Sequence, residues 1–304
     1  MKNTILLAGA LAALPFSSSA TPLLPDPPIA CDSCAEWNAP RAPFRLFGNT
    51  YYVGVSGLSA ILIVSDKGHI LLDGGLPQSA RLIDDNIRAL GFRTEEVRLI
   101  VNSHAHFDHA GGLAALQRRS GAQVAASAAG AQALAAGEPT ADDPQHGFGH
   151  QANAFPPLPQ VRSVHDGEVL RVGALAITAH LTPGHTPGST TWTWRSCEGS
   201  RCLDVVYADS LNPVAAPGYR FCGGGQSSGT ADLFRQSIAK VAALPCDLVI
   251  SVHPGFTDLE RKEKERAASP HGPDPFIDAR GCRRYAQDAA RRLDARLTEE
   301  RAAP

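Results

Sequence analysis

The 304-residue sequence predicts an α/β protein in which two strand-rich halves form two β-sheets packed together, with helices outside. Three observations predict it. Each half opens on a cluster of short apolar runs, each cluster passes into strand–helix alternation, and glycine, proline and Asp-Lys-Gly turns punctuate both. With 43% hydrophobic residues, 19% charged residues and a formal net charge of -2, the chain can bury one large core or two small ones. A balance that near neutral, with no Lys/Arg run before the C-terminal helices, gives no electrostatic footing for nucleic acid.

The N-terminus reads as an export signal. Lys2 supplies the positive charge, residues 5–16 the apolar stretch, and Ser18-Ser19-Ala20 a small-residue cleavage site, so residues 1–20 are expected to be removed. About a dozen apolar residues are too few to span a bilayer, which points to a periplasmic protein with no membrane attachment after cleavage. Pro28-Ile29-Ala30-Cys31 has the look of a lipoprotein box but lies too far past the apolar stretch. Residues 21–43 are proline-rich and read as an irregular extension wrapping a domain at 44–304. Seven cysteines suit an oxidising compartment. Cys197 and Cys202 bracket a Glu-Gly-Ser-Arg turn between two strand-like runs, which favours a local bridge, and Cys246 could tie down Cys282. Cys31, Cys34 and Cys222 cannot all pair within one chain; a Cys31–Cys34 bridge and a tether to Cys222 both stay open.

From residue 44 the pattern turns to β, with apolar runs at 51–55, 59–64 and 69–73 joined by connections short enough for antiparallel hairpins. Ala80, Ile83, Ile87 and Leu90 have helical spacing over 79–90, and Gly91 is the stop. A strand at 97–101 leads to Gly111-Gly112 and a helix at 113–119, then to a strand at 122–126 and an alanine-rich helix at 128–136. Residues 137–159 break the rhythm around His146 and His150. This stretch reads as a flap whose exposed Phe148 and Phe155 could cover a substrate. The second half repeats the outline, with strands at 161–164, 169–172, 175–181, 189–194 and 203–208, a helix at 231–244 and a strand at 248–252. Two charged helices close the chain. No heptad or exposed apolar stripe demands a partner, so a monomer is expected.

The densest chemistry lies in Ser103-His104-Ala105-His106-Phe107-Asp108-His109, directly after the 97–101 strand. Imidazole and carboxylate are the ligands that borderline divalent metals such as zinc prefer. In extended chain His104 and His106 point the same way, and a helix beginning after them swings Asp108 and His109 toward the same space. Two further histidines, His185 and His253, sit where strands end in Gly/Pro turns, as catalytic groups on rigid scaffolds tend to do. Alone, each would be an ordinary turn histidine, which is the reading kept for His69, His146, His150, His165, His180 and His271.

His104-x-His106-x-Asp108-His109 resembles the signature of the metallo-β-lactamase superfamily, mostly zinc-dependent hydrolases, and the His185 and His253 segments match its later motifs in order. The resemblance runs from about residue 44 to the last helix and implies a four-layered αββα sandwich of two mixed β-sheets with helices on both outer faces. It implies two Zn²⁺ per chain, one held by His104, His106 and His185 and the other by Asp108, His109 and His253. No cysteine stands in Tyr207-Ala208-Asp209-Ser210-Leu211-Asn212, where subclass B1 enzymes place a zinc ligand, and His104 stands where subclass B2 carries Asn. The chain is therefore most similar to subclass B3 metallo-β-lactamases. Thr182-Pro183-Gly184-His185-Thr186-Pro187-Gly188-Ser189 and Ala216-Pro217-Gly218-Tyr219 support this.

What the resemblance implies chemically is hydrolysis of a small-molecule β-lactam by water that two zinc ions acidify, with a zinc polarising the carbonyl. Asp108 would orient that water as well as bind metal. Ser210 and Asn212 would meet the substrate carboxylate, although many related enzymes carry Ser where Asn212 stands. Tyr219 would donate to the oxyanion. Two rivals compete. A thioesterase or lactonase of the same fold would use an Asp in the Asp209 region to bridge both metals, but Ser210 after it, the export signal and the disulfides favour the lactamase, since cytosolic thioesterases have no use for export. A non-catalytic zinc protein would normally close its metal in one tetrahedral module, unlike six ligands spread along the chain.

Overall fold

The computed structural model describes residues 23–224 and 229–302. The expected export signal lies outside the described residues. The apolar runs form twelve strands among the described residues, in two mixed sheets. In the first, β1 (Phe44–Phe47), β2 (Thr50–Tyr52), β3 (Ile61–Ile63) and β4 (His69–Leu72) are successive antiparallel neighbours. They are followed in parallel by β5 (Val97–Val101), β6 (Gln123–Ser127) and β7 (Val161–Val164). The change of sense follows from the connections. Hairpins join β1 to β4, whereas helical crossovers, which parallel pairing requires, join β4 to β5 and β5 to β6. The second sheet has the order β12-β11-β10-β9-β8, from β8 (Val169–Val172), β9 (Leu175–Leu181), β10 (Thr190–Glu198), β11 (Arg201–Ala208) and β12 (Leu248–Ser251). Only its β11–β12 pair is parallel.

Side chains alternate across each strand, so each sheet has two apolar faces to bury. Ile70 and Leu72 of β4 face the inter-sheet core with Trp192, Val205, Tyr207 and Ile250. Leu71 faces the other way, into a layer with α2 (Ser79–Ala89), α4 (Leu113–Ser120) and α5 (Ala128–Ala136). Likewise Val206 and Ala208 turn outward against α7 (Ala231–Ala243) and α9 (Gly281–Ala302). The result is the expected αββα order of layers. Helix α2 buries Ala80, Ile83 and Ile87, one face at three- and four-residue spacing, and its chain reverses at Gly91 with φ 85°. The remaining helices are α1 (Cys34–Trp37), α3 (Phe107–Ala110), α6 (His150–Asn153) and α8 (Leu259–Ala268). No helix among the described residues is long and apolar enough to cross a membrane.

One open pairing is decided and one expectation changes. Cys31 pairs with Cys34 beside the Cys197–Cys202 and Cys246–Cys282 bridges, and exposed Cys222 is left as a thiol. Phe155, expected as an exposed aromatic on the flap, is 5% exposed in the helix-side core. Its segment runs back along α5, with the Phe155 N–H on Gly137 O and the Leu158 N–H on Leu134 O, which carries the ring inward. Phe148 is exposed as expected.

The Cys246–Cys282 bridge spans 36 residues and fastens α9 to the chain entering β12. Closing a loop of that size removes unfolded-state entropy worth about 3–4 kcal/mol. The Cys246→Ala/Cys282→Ala variant is expected to lose about that much in urea unfolding, with a steeper slope against denaturant because the unlinked unfolded chain exposes more surface.

Candidate metal centre

The centre grows from the ends of β4 and β5. Asp73 follows β4 with φ 59°, a left-handed conformation that aspartate tolerates better than branched residues. That geometry turns its fully buried carboxylate toward the next strand end. There it accepts from Asn102 Nδ2 (3.0 Å), Ser103 N (2.7 Å) and Ser103 Oγ (2.6 Å), and from Tyr207 O–H of the opposite sheet (2.9 Å). The metal loop is thereby fixed at its root. After His106 the chain turns into α3, with the His109 and Ala110 N–H groups on His106 O, and this single turn swings Asp108 and His109 inward. Gly112 follows because the backbone passes so close to Gly74 that a Cβ would sit 2.2 Å from its carbonyl oxygen.

All six expected ligands come together. The rings of His104, His106 and His185 form a triangle with centroids 4.7–5.0 Å apart. Asp108 Oδ2 lies 3.2 Å from His109 Nε2 and 3.3 Å from His253 Nε2, and these two nitrogens are 3.2 Å apart. The rings of His104 and His109, 4.3 Å apart, join the two groups. The ligand atoms of His104, His106 and His185, and those of His104, Asp108 and His109, each lie close enough to hold one ion.

What turns clustered histidines into a donor set is the other nitrogen of each ring. His104 Nδ1 is 2.7 Å from Asp209 Oδ1, His106 Nε2 is 3.2 Å from Asp143, and His185 Nδ1 is 2.7 Å from Asn212 O. His253 Nδ1 is 3.2 Å from Gly57 O, and His109 Nδ1 lies 3.9 Å from Asp73. An acceptor on the outer nitrogen makes that nitrogen the N–H and leaves the inner one with a lone pair. His104 Nε2 is accordingly a buried acceptor with no hydrogen-bond partner. A metal ion is the partner that such an atom fits. Sequence reasoning missed Asp73, Asp143 and Gly57, which have no local pattern, and weighed Asp209 only as a metal bridge.

Burial and neighbouring imidazoles depress His104 well below its usual range, and burial brings His185 down to about 3. Burial pushes Asp108 upward, but the positive field and hydrogen bonds of His109 and His253 outweigh it and hold the carboxyl well below its usual range. Burial lowers His109 too, yet Asp108, with Asp73 and Asp209, raises it more. Burial pushes Asp209 well up.

A cleft of about 810 Å³ opens onto the centre, lined by Trp37, Gln145, Ser210, Asn212, Val214 and Phe256 among others. Ser210 and Asn212 stand there as expected. Gln145, from the flap, was missed; its Nε2 is 3.4 Å from both His106 Nδ1 and His185 Nε2. Phe148 and Phe155 are not among the lining residues, and neither is Tyr219. The Tyr219 hydroxyl is paired with Thr230 Oγ1 at 3.0 Å and its ring packs on Phe221.

For the metal-stripped protein the sign of the pH dependence follows. His104 and His185 titrate lower folded than unfolded, where imidazole sits near ~6.5. In between, the unfolded chain binds more protons, so stability is full above about 6.5 and falls as pH falls toward the folded values. Asp108 and Asp143, both held low, lose their contributions as pH falls through theirs. His109, raised, opposes this with a contribution present at low pH and lost as pH rises through its folded value. The urea midpoint is expected to drop steadily from pH 7 to 4, and a flat midpoint would contradict the buried neutral histidines.

The family model described as the metallo-beta-lactamase superfamily matches residues 53–198. Among solved structures, the Rm3 metallo-beta-lactamase is 51% identical with a TM-score of 0.85, covering 90% of this chain and 99% of that one. MEM-A1, a subclass B3 metallo-beta-lactamase from a soil metagenome library, is 50% identical with a TM-score of 0.83, covering 88% and 99%. The hydroxyacylglutathione hydrolase of Anaeromyxobacter dehalogenans is 32% identical over 194 residues, 64% of this chain. That match spans 59% of the relative, less than two thirds of its length.

Proposed function

Since the chain belongs to the metallo-β-lactamase superfamily, we propose that it is a subclass B3 enzyme: an exported, monomeric, dinuclear-zinc β-lactamase of the periplasm. It opens the amide of penicillins, cephalosporins and carbapenems, and so protects its host from these antibiotics. The observation that carries the reading is the inward convergence of five imidazoles and Asp108 at the floor of a cleft, with four of the outer imidazole nitrogens already committed. His104, His106 and His185 would hold one zinc, and Asp108, His109 and His253 the other. When bound, the pair supplies a Lewis acid for the amide carbonyl and lowers the pKa of a water.

The chain's own groups do the rest. Asp108, held anionic, accepts a hydrogen bond from the attacking water and keeps its lone pair on the carbonyl carbon. The Gln145 amide, at the face of the first triad, donates to the carbonyl oxygen as negative charge gathers there. That is the role Tyr219 was expected to fill; with its hydroxyl on Thr230, Gln145 is better placed. Ser210 and Asn212 offer a hydroxyl and an amide to the substrate carboxylate, while Trp37, Val214 and Phe256 give apolar surface to its substituents.

Asp209 bears on the thioesterase alternative. Its Oδ1 contacts His104 Nδ1, on the side of the ring away from the unpartnered Nε2, which supports a ring-orienting role over a metal-bridging one.

Zinc-loaded protein is expected to turn over a penicillin and a carbapenem many times per chain and to leave acyl-glutathione thioesters largely intact. The reverse preference would sink the proposal. Metal analysis should give two zinc ions per chain. Gln145→Ala is expected to lower kcat by about 10²-fold with little change in bound zinc. An unchanged kcat would remove Gln145 from the reaction without touching the zinc assignment.

A further inference from the structure

The N-terminal extension supplies part of the second half-site. We infer that Trp37 is a positioning residue that holds His253 in place for the second metal ion, an inference that rests on the two-metal reading above.

The side chain of His253 is 22% exposed, against 0% for His109 and 10% for Asp108 in the same group. Its outer nitrogen is held by a loop carbonyl, Gly57 O, whereas His104 and His106 lean on buried carboxylates. Something else must fix this ring. The indole of Trp37 packs on it, with centroids 5.3 Å apart and planes at 54°. Phe256 meets it edge-on at 6.1 Å.

The strap that carries Trp37 is tied to the loop that carries the carbonyl. The Gly57 N–H donates to Trp37 O at 2.9 Å, and the Ser56 N–H donates to Ala39 O at 3.0 Å. Gly57 has room for no side chain, because a Cβ there would lie 2.5 Å from Trp37 Cδ1. One glycine thus packs beneath the indole, pairs with its backbone and accepts from His253. The Cys31–Cys34 bridge closes the turn leading into α1, where the Cys34 N–H also meets Cys31 O at 3.1 Å. Trp37 and Gly57 together fix both the tilt and the tautomer of His253. Among the described residues no comparable hydrogen bond or ring contact joins the strap to the first triad, so the effect is confined to one ion.

The test measures metal affinity instead of hydrolysis. The mature chain is stripped of metal and titrated with zinc against a chromophoric chelator, and in parallel with cobalt(II), whose visible bands report each site's geometry. Trp37→Ala is expected to weaken the second equivalent by about 10–100-fold, the usual effect of removing a group that orients a ligand, and to leave the first unchanged. Trp37→Phe, which keeps a ring on His253, should recover most of the affinity and the cobalt(II) spectrum. If Trp37→Ala does not fold, Trp37→Leu keeps apolar bulk without the ring and should show the same selective loss. Unchanged second-ion affinity in a folded variant, or equal weakening of both ions, overturns the inference. Wild-type protein that takes up fewer than two ions overturns the two-metal reading itself.

Discussion

Five imidazoles packed side by side repel one another if protonated and bind nothing if their lone pairs point the wrong way. The structure meets both constraints with outer acceptors. Asp209, Asp143, Asn212 O and Gly57 O each take one ring nitrogen as an N–H and so free the other. Burial then keeps His104 and His185 uncharged, so that protons compete weakly with a metal near neutrality. These acceptors come from the end of β11, the flap, the segment that follows β11 and the loop before β3. A single sheet could not bring them together. Two sheets packed face to face, with their loops gathered at one end, can.

Asp73 is where that end is fastened. Its carboxylate collects four hydrogen bonds while fully buried, three from the root of the metal loop and one from Tyr207 across the sandwich. Burial alone pushes its pKa up, since ionised oxygen is costly away from water, and the donors offset that cost. More ties run beside it. Trp192 Nε1 donates to Asn102 O at 3.0 Å, and the Thr190 N–H donates to Ser103 O at 2.8 Å. The two residues preceding His104 are therefore bonded to both sheets, and the first two ligands inherit that rigidity.

The legible part of this protein was the part written locally. Alternation exposed the strands, three- and four-residue spacing exposed α2, and four ligand-type residues within six positions exposed the metal loop. His185 and His253 were legible only through the motifs around them. The groups that orient the ligands were not legible, because each is an ordinary residue that acquires its role from a contact across the fold. Asp143 meets His106 across 37 residues, Asp209 meets His104 across 105, and Gly57 meets His253 across 196. Phe155 shows the opposite error. An aromatic among prolines reads as exposed, yet two backbone hydrogen bonds along α5 decide that it faces inward. Nor does the motif around Tyr219 reveal that its hydroxyl pairs with Thr230 Oγ1.

The rigid floor and the walls of the cleft obey different rules. On the floor, four of the rings each have their own acceptor. The walls come from other segments: the strap at Trp37, the flap at Gln145 and the turn before α8 at Phe256. A hydrolytic centre of this kind asks of its substrate only a polarisable carbonyl. Choice among substrates must then reside in the walls, in which groups meet the leaving side and the carboxylate. Trp37 and Gln145 join the two layers, each lining the cleft while lying against histidines of the floor. On the reading proposed above, a substitution at Trp37 would reach the metal centre through His253, whereas one at Gln145 would act on the substrate.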